Sequence, residues 1–293
     1  MRRGTYSIVA RDGASGELGV AVQSHWFSVG SVVTWARAGV GAVATQSVAE
    51  VAHGPNVLDQ MQQGKSAAQA LAAVLEADPQ ARFRQVGAVD ARGEAAAHTG
   101  DGCIPHAAHV VDRGFACQAN IMAGETVPAA MAEAFLAHEG DLAERLLAAL
   151  DGAQAQGGDL RGRQSAALLV VPAGGEPWRT RFDVRVDDHS DPLGELRRLL
   201  RLARAYELAA RADELLASGA REDARTAYVQ AAELAPDATE LTFWAGVAIG
   251  ADDVAAGLEL VRKAAIANPA WLELLRRLPA ELEPAAQALR DAL

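Results

Sequence analysis

This sequence predicts an α+β domain followed by a small all-α tail, and three observations carry that expectation. Short, nearly uncharged runs rich in β-branched residues recur up to about residue 190. Between them lie pairs of segments whose apolar residues fall at helical spacing. From about Leu193 the strand signals stop, and Ala, Leu, Glu and Arg dominate. The expected division is 1–192 for the domain and 193–293 for the tail.

The first element is a buried hairpin. Thr5–Ala10 and Glu17–Ser24 read as strands, and Arg11–Gly16 supplies the Asp, Gly and Ser of a tight connection. Ser31–Trp35 and Val40–Ser47 read as two further strands, separated at Arg37–Gly39. The period then changes. Pro55–Gln63 carries Val57, Leu58 and Met61 on one face, and Ser66–Glu76 carries Ala70, Leu71, Val74 and Leu75. Ser66 is placed to cap the second helix, and Asp78-Pro79 stops it. Strands return at Gln85–Asp90, Ala95–Thr99, His109–Asp112 and Gly114–Gln118. Two helices follow over Thr126–His138 and Asp141–Gln154, then strands at Gln164–Pro172 and Arg181–Val186. Paired helices between runs of strands predict helices covering two packed sheets, not a βαβ alternation.

In the tail, Gly219, Ala224, Tyr228, Ala231 and Pro236 fall at the small, aromatic and proline positions of a tetratricopeptide repeat. A weaker copy keeps Ala245, Gly257 and Ala264 and ends at Pro269. Three repeats are normally needed for a free-standing stack. An incomplete stack predicts an open apolar face, with Trp244, Trp271 and Leu275 as its candidates. That face is the reason to expect a homodimer, or a protein partner held by the tail; a plain helical hairpin is the alternative.

Composition narrows the partners. The 293 residues are 50% hydrophobic, enough for a sizeable core, and the net charge of −11 disfavours nucleic acid and anionic membrane. No apolar run has membrane-spanning length, and no apolar signal core follows the first residues, so a cytoplasmic location is expected. Cys103 and Cys117 suggest buried thiols, not a disulfide framework. His98, Cys103, His106 and His109 lack the spacing of a helical zinc site, and no metal or other cofactor is expected.

Five stretches carry a resemblance to a known family. They are Tyr-Ser-Ile-Val-Ala-Arg-Asp (6–12), Gly-Glu-Leu-Gly-Val-Ala-Val (16–22), Gly-Val-Gly-Ala-Val-Ala-Thr-Gln (39–46), Phe-Ala-Cys-Gln-Ala-Asn (115–120) and Gly-Gly-Asp-Leu-Arg-Gly-Arg-Gln-Ser-Ala (157–166). In these the first 200 or so residues resemble the DUF1028 family, itself similar to the Ntn-hydrolase-like (N-terminal nucleophile) superfamily. The resemblance implies a four-layered αββα sandwich and, through the superfamily, hydrolysis of an amide bond in a small molecule.

The site residues follow from that resemblance and from the residues themselves. An N-terminal nucleophile is a Thr, Ser or Cys whose own α-amine is the base. Thr5 heads a strand just after Gly4 and sits where the superfamily's nucleophile would be; Ser7 and Ser24 are alternatives, and an ordinary strand threonine is another. While residues 1–4 stay attached, Thr5 has an amide nitrogen and no amine. The lysine of proteasome-like members has no counterpart, since Lys65 alone falls in the first 200 residues. Ser24 takes the place of a supporting carboxylate. Asn120 is the expected oxyanion donor, with turn capping as its other reading. Asp159, Arg161, Arg163, Gln164 and Ser165 form a polar cluster that would either bind a carboxylate substrate through Arg or fix its own loop by an ion pair. An anionic small molecule is therefore the expected substrate, and a catalytically silent binding module is the alternative.

Overall fold

The computed structural model describes residues 4–279, 281, 283 and 285–293. The chain divides into two compact units, one ending at Arg197 and the other Arg198–Leu293. The first opens with β1 (Thr5–Arg11) and β2 (Leu18–Ser24), then a helical turn α1 (Gly30–Val33), β3 (Thr34–Arg37) and β4 (Gly41–Ser47). Helices α2 (His53–Gln62) and α3 (Ala67–Glu76) precede β5 (Arg84–Asp90), β6 (Ala95–Thr99), β7 (Ala108–Asp112) and β8 (Phe115–Asn120). Helices α4 (Val127–Ala137) and α5 (Leu142–Ala155) come next, then β9 (Ser165–Val171), β10 (Phe182–Val186) and α6 (Pro192–Ala217), which crosses the division between the units.

The strands form two sheets, ordered β10-β9-β2-β1-β8-β7 and β3-β4-β5-β6, and every pairing is antiparallel. The expected α+β class agrees with this mixture of helices and antiparallel sheets. Period-two alternation decides what each face meets. Val9, Val20, Val22, Ala42, Ala44 and Val89 form a core between the two sheets. On the outer face of the smaller sheet, Val43, Val86 and Ala88 pack under Val57, Leu58 and Leu71 of α2 and α3. Helices α4 and α5 lie on the other sheet, against β7, β8, β1 and β2. Each fully buried Val or Leu contributes about 1.5–3 kcal/mol relative to exposure.

The helix starts follow local chemistry. The Ser66 hydroxyl accepts from the Gln69 N–H while the Gln69 side chain accepts from the Ser66 N–H, a complete capping box. The strand expected over Ser31–Trp35 is in part a helical turn. Val29 and Val33 are both fully buried in the inter-sheet core, and a helical turn stacks them about 6 Å apart along its axis, where an extended strand would spread them over about 13 Å. The Thr34 hydroxyl then donates to the Gly30 carbonyl at 2.8 Å, closing the turn before β3.

The second unit continues α6 and adds α7 (Arg221–Leu234), α8 (Thr239–Ile249), α9 (Val254–Ala267), α10 (Ala270–Arg277) and α11 (Ala285–Asp291). Ala212, Ala227, Tyr228 and Ala245 form one of its cores, and Phe243, Val247, Val261 and Leu289 belong to another. Helices α8 and α9 meet backbone to backbone, because a Cβ on Gly257 would stand 2.5 Å from the Gly246 carbonyl oxygen. The apolar face expected of Trp244, Trp271 and Leu275 is not open. Leu275 is fully buried, and both tryptophan rings pack about 5 Å from the Phe243 ring, with Trp271 stacked on it. These side chains complete the tail's own core. Among the described residues, no helix is long and apolar enough to cross a membrane.

Candidate functional site

The register of the larger sheet assembles the site. Thr5 pairs with Ser24 on one side and Asn120 on the other, and Ser24 pairs with Ser165. Residues directly opposite one another share a face. Ser165, Ser24, Thr5 and Asn120 therefore make one row across the sheet, on the side that also carries Val9, Val20 and Val22. All four are fully buried. The apolar core between the sheets thus ends in a polar layer.

Across from this row the smaller sheet presents Gln46 and Gln85, and one residue pair deeper lie Ser7 and Gln118. The Ser7 hydroxyl donates to Gln46 Oε1 at 2.7 Å and accepts from Gln118 Nε2 at 2.6 Å. Gln46 Nε2 donates to Gln85 Oε1 at 2.8 Å and lies 3.3 Å from the Thr5 carbonyl. Asn120 Nδ2 donates to the same Gln85 oxygen at 2.9 Å and reaches the Thr5 carbonyl at 3.5 Å. Gln85 Nε2 in turn reaches the Ala119 carbonyl and the Thr99 hydroxyl, each at 2.9 Å. The Gln118 amide fits only because residue 87 is glycine: a Cβ there would sit 2.1 Å from Gln118 Oε1. Burying amides is tolerable only when they bond to one another. Asn120 Oδ1 and Gln118 Oε1 are the two oxygens of this belt with no partner among the described residues.

One residue before Thr5 stands the buried Gly4 carbonyl. Its oxygen accepts from Arg161 Nη2 at 2.8 Å and from the Ser24 hydroxyl, while the Thr5 hydroxyl donates to Ser24 Oγ at 3.1 Å. Arg161 is held by Asp159, whose oxygens accept from Arg161 Nε at 3.1 Å and Nη2 at 2.8 Å. The backbone N–H groups of Arg161 and His25 add bonds of 2.9 and 3.1 Å to the same carboxylate. The Asp159 side chain is completely buried. A cation and a hydroxyl on one carbonyl oxygen, with a second hydroxyl beside them, can polarise that carbonyl for attack.

Of the residues read from sequence, Thr5, Ser24, Asp159 and Arg161 come together around the Gly4 carbonyl. Asn120 is adjacent, but its donor atom goes to the Thr5 carbonyl and Gln85, so on the Gly4 oxygen the donors are Arg161 and Ser24. Gln164 and Ser165 are used structurally: Gln164 Nε2 donates to Asp188 at 3.1 Å, and the Ser165 hydroxyl bonds the Trp26 carbonyl and the Val29 N–H. Arg163 pairs with Asp191 at 2.9 Å. Residues 1–3, the part of the segment removed by cleavage after Gly4 that precedes Gly4 itself, lie outside the described residues. The glutamine belt was missed by sequence reasoning. Its signal was present, since Gln46, Gln85 and Gln118 are polar residues at the strand parity that otherwise faces the apolar core.

Ser47 and Ile121, each one residue past the belt, have φ of 71° and 59°. For a β-branched isoleucine that is an outlier, and such strain costs about 1–3 kcal/mol. Both line a cleft of about 220 Å³ with Phe83, Cys103 and Pro105. Burial pushes the Cys103 thiol up, and its Sγ donates to the Arg84 carbonyl. His98 bonds the Ala81 carbonyl and His109 the Thr99 hydroxyl. Among the described residues, no group of three or more His, Cys, Asp or Glu side chains is placed to hold a metal ion. Cys103 and Cys117 are both free thiols.

Fold and site together define a two-sheet antiparallel α+β domain with a buried polar layer at one end, opposite a clamped peptide carbonyl. The chain belongs to the family of unknown function DUF1028, which matches residues 5–196. A solved DUF1028 protein from Silicibacter pomeroyi is similar, with 31% identity and a TM-score of 0.63 over 68% of this chain and 89% of that one. Anbu (ancestral beta-subunit) from Yersinia bercovieri aligns at 11% identity and a TM-score of 0.33, over 66% of this chain and 91% of its own. No curated protein matches this chain.

Proposed function

We propose that the domain is an Ntn-hydrolase-like αββα sandwich that releases Thr5 by cleaving its own Gly4–Thr5 bond and then hydrolyses an amide bond of a small molecule. The observation that carries this reading is the relay from the Thr5 hydroxyl to Ser24 and from Ser24 to the Gly4 carbonyl oxygen, with Arg161 on that same oxygen. Thr5 Oγ1 attacks the Gly4 carbonyl carbon, and its proton passes through Ser24 to the carbonyl oxygen. The carbon–nitrogen bond then breaks as that proton moves from the oxygen to the departing nitrogen and the carbonyl re-forms, leaving the Thr5 amine free and Gly4 as an ester on Oγ1, and water hydrolyses that ester. In turnover the free amine is the base, and a substrate carbonyl takes the place of the Gly4 carbonyl between Arg161 and Ser24. Asn120, bonded to the Thr5 carbonyl, positions the nucleophile. Arg161 and Arg163 each have a carboxylate partner, so the anionic substrate expected from them is not carried into the proposal.

The complete burial of Thr5 favours a second reading, a catalytically silent member of the same fold that binds a small molecule. A tetratricopeptide-like tail that contacts a second copy or another protein is compatible with either. Intact mass and a single variant separate the two readings. On the hydrolase reading the purified chain begins at Thr5, whereas Thr5→Ala keeps residues 1–4, loses hydrolysis and melts within a few degrees of the parent. Active protein that retains residues 1–4, or a fully active Thr5→Ala variant, rules out the N-terminal mechanism.

A further inference from the structure

Gly4 is held in a slot with no room for a side chain. A Cβ on the L side of its α-carbon would stand 2.8 Å from both Asp159 oxygens and 3.0 Å from Arg161 Nη2. Those atoms are not free ends that can swing away. The buried Asp159 carboxylate is fixed by two backbone N–H groups and by two guanidinium nitrogens, and Arg161 is fixed by that carboxylate and by the Gly4 oxygen. Moving either would break charge-assisted bonds, which are about twice as strong as neutral ones.

We infer that the site selects glycyl amides: the acyl half of its substrate has no L-oriented substituent on the carbon next to the scissile carbonyl. This rests on the reading that a substrate carbonyl replaces that of Gly4 between Arg161 and Ser24, for the carbon attached to it then occupies the Gly4 α-carbon position. An L-alanyl group would press its methyl into the Asp159–Arg161 pair. Overpacking of a rigid wall costs enough to weaken binding by about tenfold or more.

The test uses the chain beginning at Thr5, released from a cleavable fusion. Its first strand keeps its ladders, since the pairings of β1 with β2 and β8 start at Thr5 and involve no earlier residue. N-acetylglycine and N-acetyl-L-alanine are titrated by calorimetry, and N-acetylglycyl-p-nitroanilide is followed for hydrolysis. The expected result is binding of N-acetylglycine at least about tenfold tighter than N-acetyl-L-alanine. Equal affinities, or no binding of either acid, overturn the glycine slot whatever the hydrolysis assay gives. Selective binding without hydrolysis keeps the slot and removes the hydrolase reading. In the full-length chain, Gly4→Ala should lower the melting temperature, and an unchanged value would show that the slot admits a methyl group.

Discussion

His53 stands at the start of α2 with its side chain 5% exposed, its Nε2 3.2 Å from Asp78 and its Nδ1 without a partner among the described residues. Burial holds its pKa below the ordinary histidine value, more than Asp78 raises it. The unfolded chain therefore takes up this proton first, and stability falls as pH drops below about 6.5 until the folded value is passed. Asp78 acts in the same direction at lower pH. The Arg84 guanidinium, bonded at 2.7 Å, holds its carboxyl below the usual range. That contribution is present above about pH 3.9 and is lost as pH falls through the folded-state value. The expected outcome is a melting temperature that declines from pH 7.5 to 5.5, and a shallower decline for His53→Gln by scanning calorimetry. Parallel curves would show that another group carries the dependence.

At the scale of elements, what was legible in the sequence was what local pattern controls. Helices α2 to α5 and most strands fall within a few residues of where periodicity and capping residues put them. The failures lie where a distant contact outweighs the local pattern. Val29 and Val33 are good strand residues, yet the core between the sheets takes both within one short turn of each other, and a helical turn results. Gln46, Gln85 and Gln118 are polar residues within expected strands, and only the pairing of two sheets shows that they answer one another. In the site, Thr5, Ser24, Asp159 and Arg161 were legible from their positions relative to strand ends. The clamp on the Gly4 carbonyl was not, because it joins residues 157 positions apart. The tail's small positions were visible too, and they give a direct test. A methyl group on Gly257 would meet backbone of α8 and of Gly250, which cannot turn aside. Gly257→Ala should destabilise the tail by about 1–3 kcal/mol, seen as a lower urea midpoint for its tryptophan fluorescence. An unchanged midpoint would mean that the two helices can separate without loss.

For the whole molecule, each of the two units has cores of its own, built from separate stretches of chain. A chain ending at Arg197 is expected to give one cooperative melting transition and a structured near-UV circular dichroism spectrum. A molten spectrum would mean that the first unit needs the tail. The amide belt has a different consequence, one of timing. Ser7 bonds Gln46, 39 residues away, and Gln118, 111 residues away, so the polar layer closes only over long loops. During synthesis β1 can pair with β2 at once, but its other edge has no neighbour until residues 115–120 of β8 have left the ribosome. For that interval a strand of Ile, Val and Ala offers unpaired N–H and C=O groups to any passing chain. The protein is most exposed to aggregation while still unfinished, and arrival of the Phe115–Asn120 segment ends that exposure.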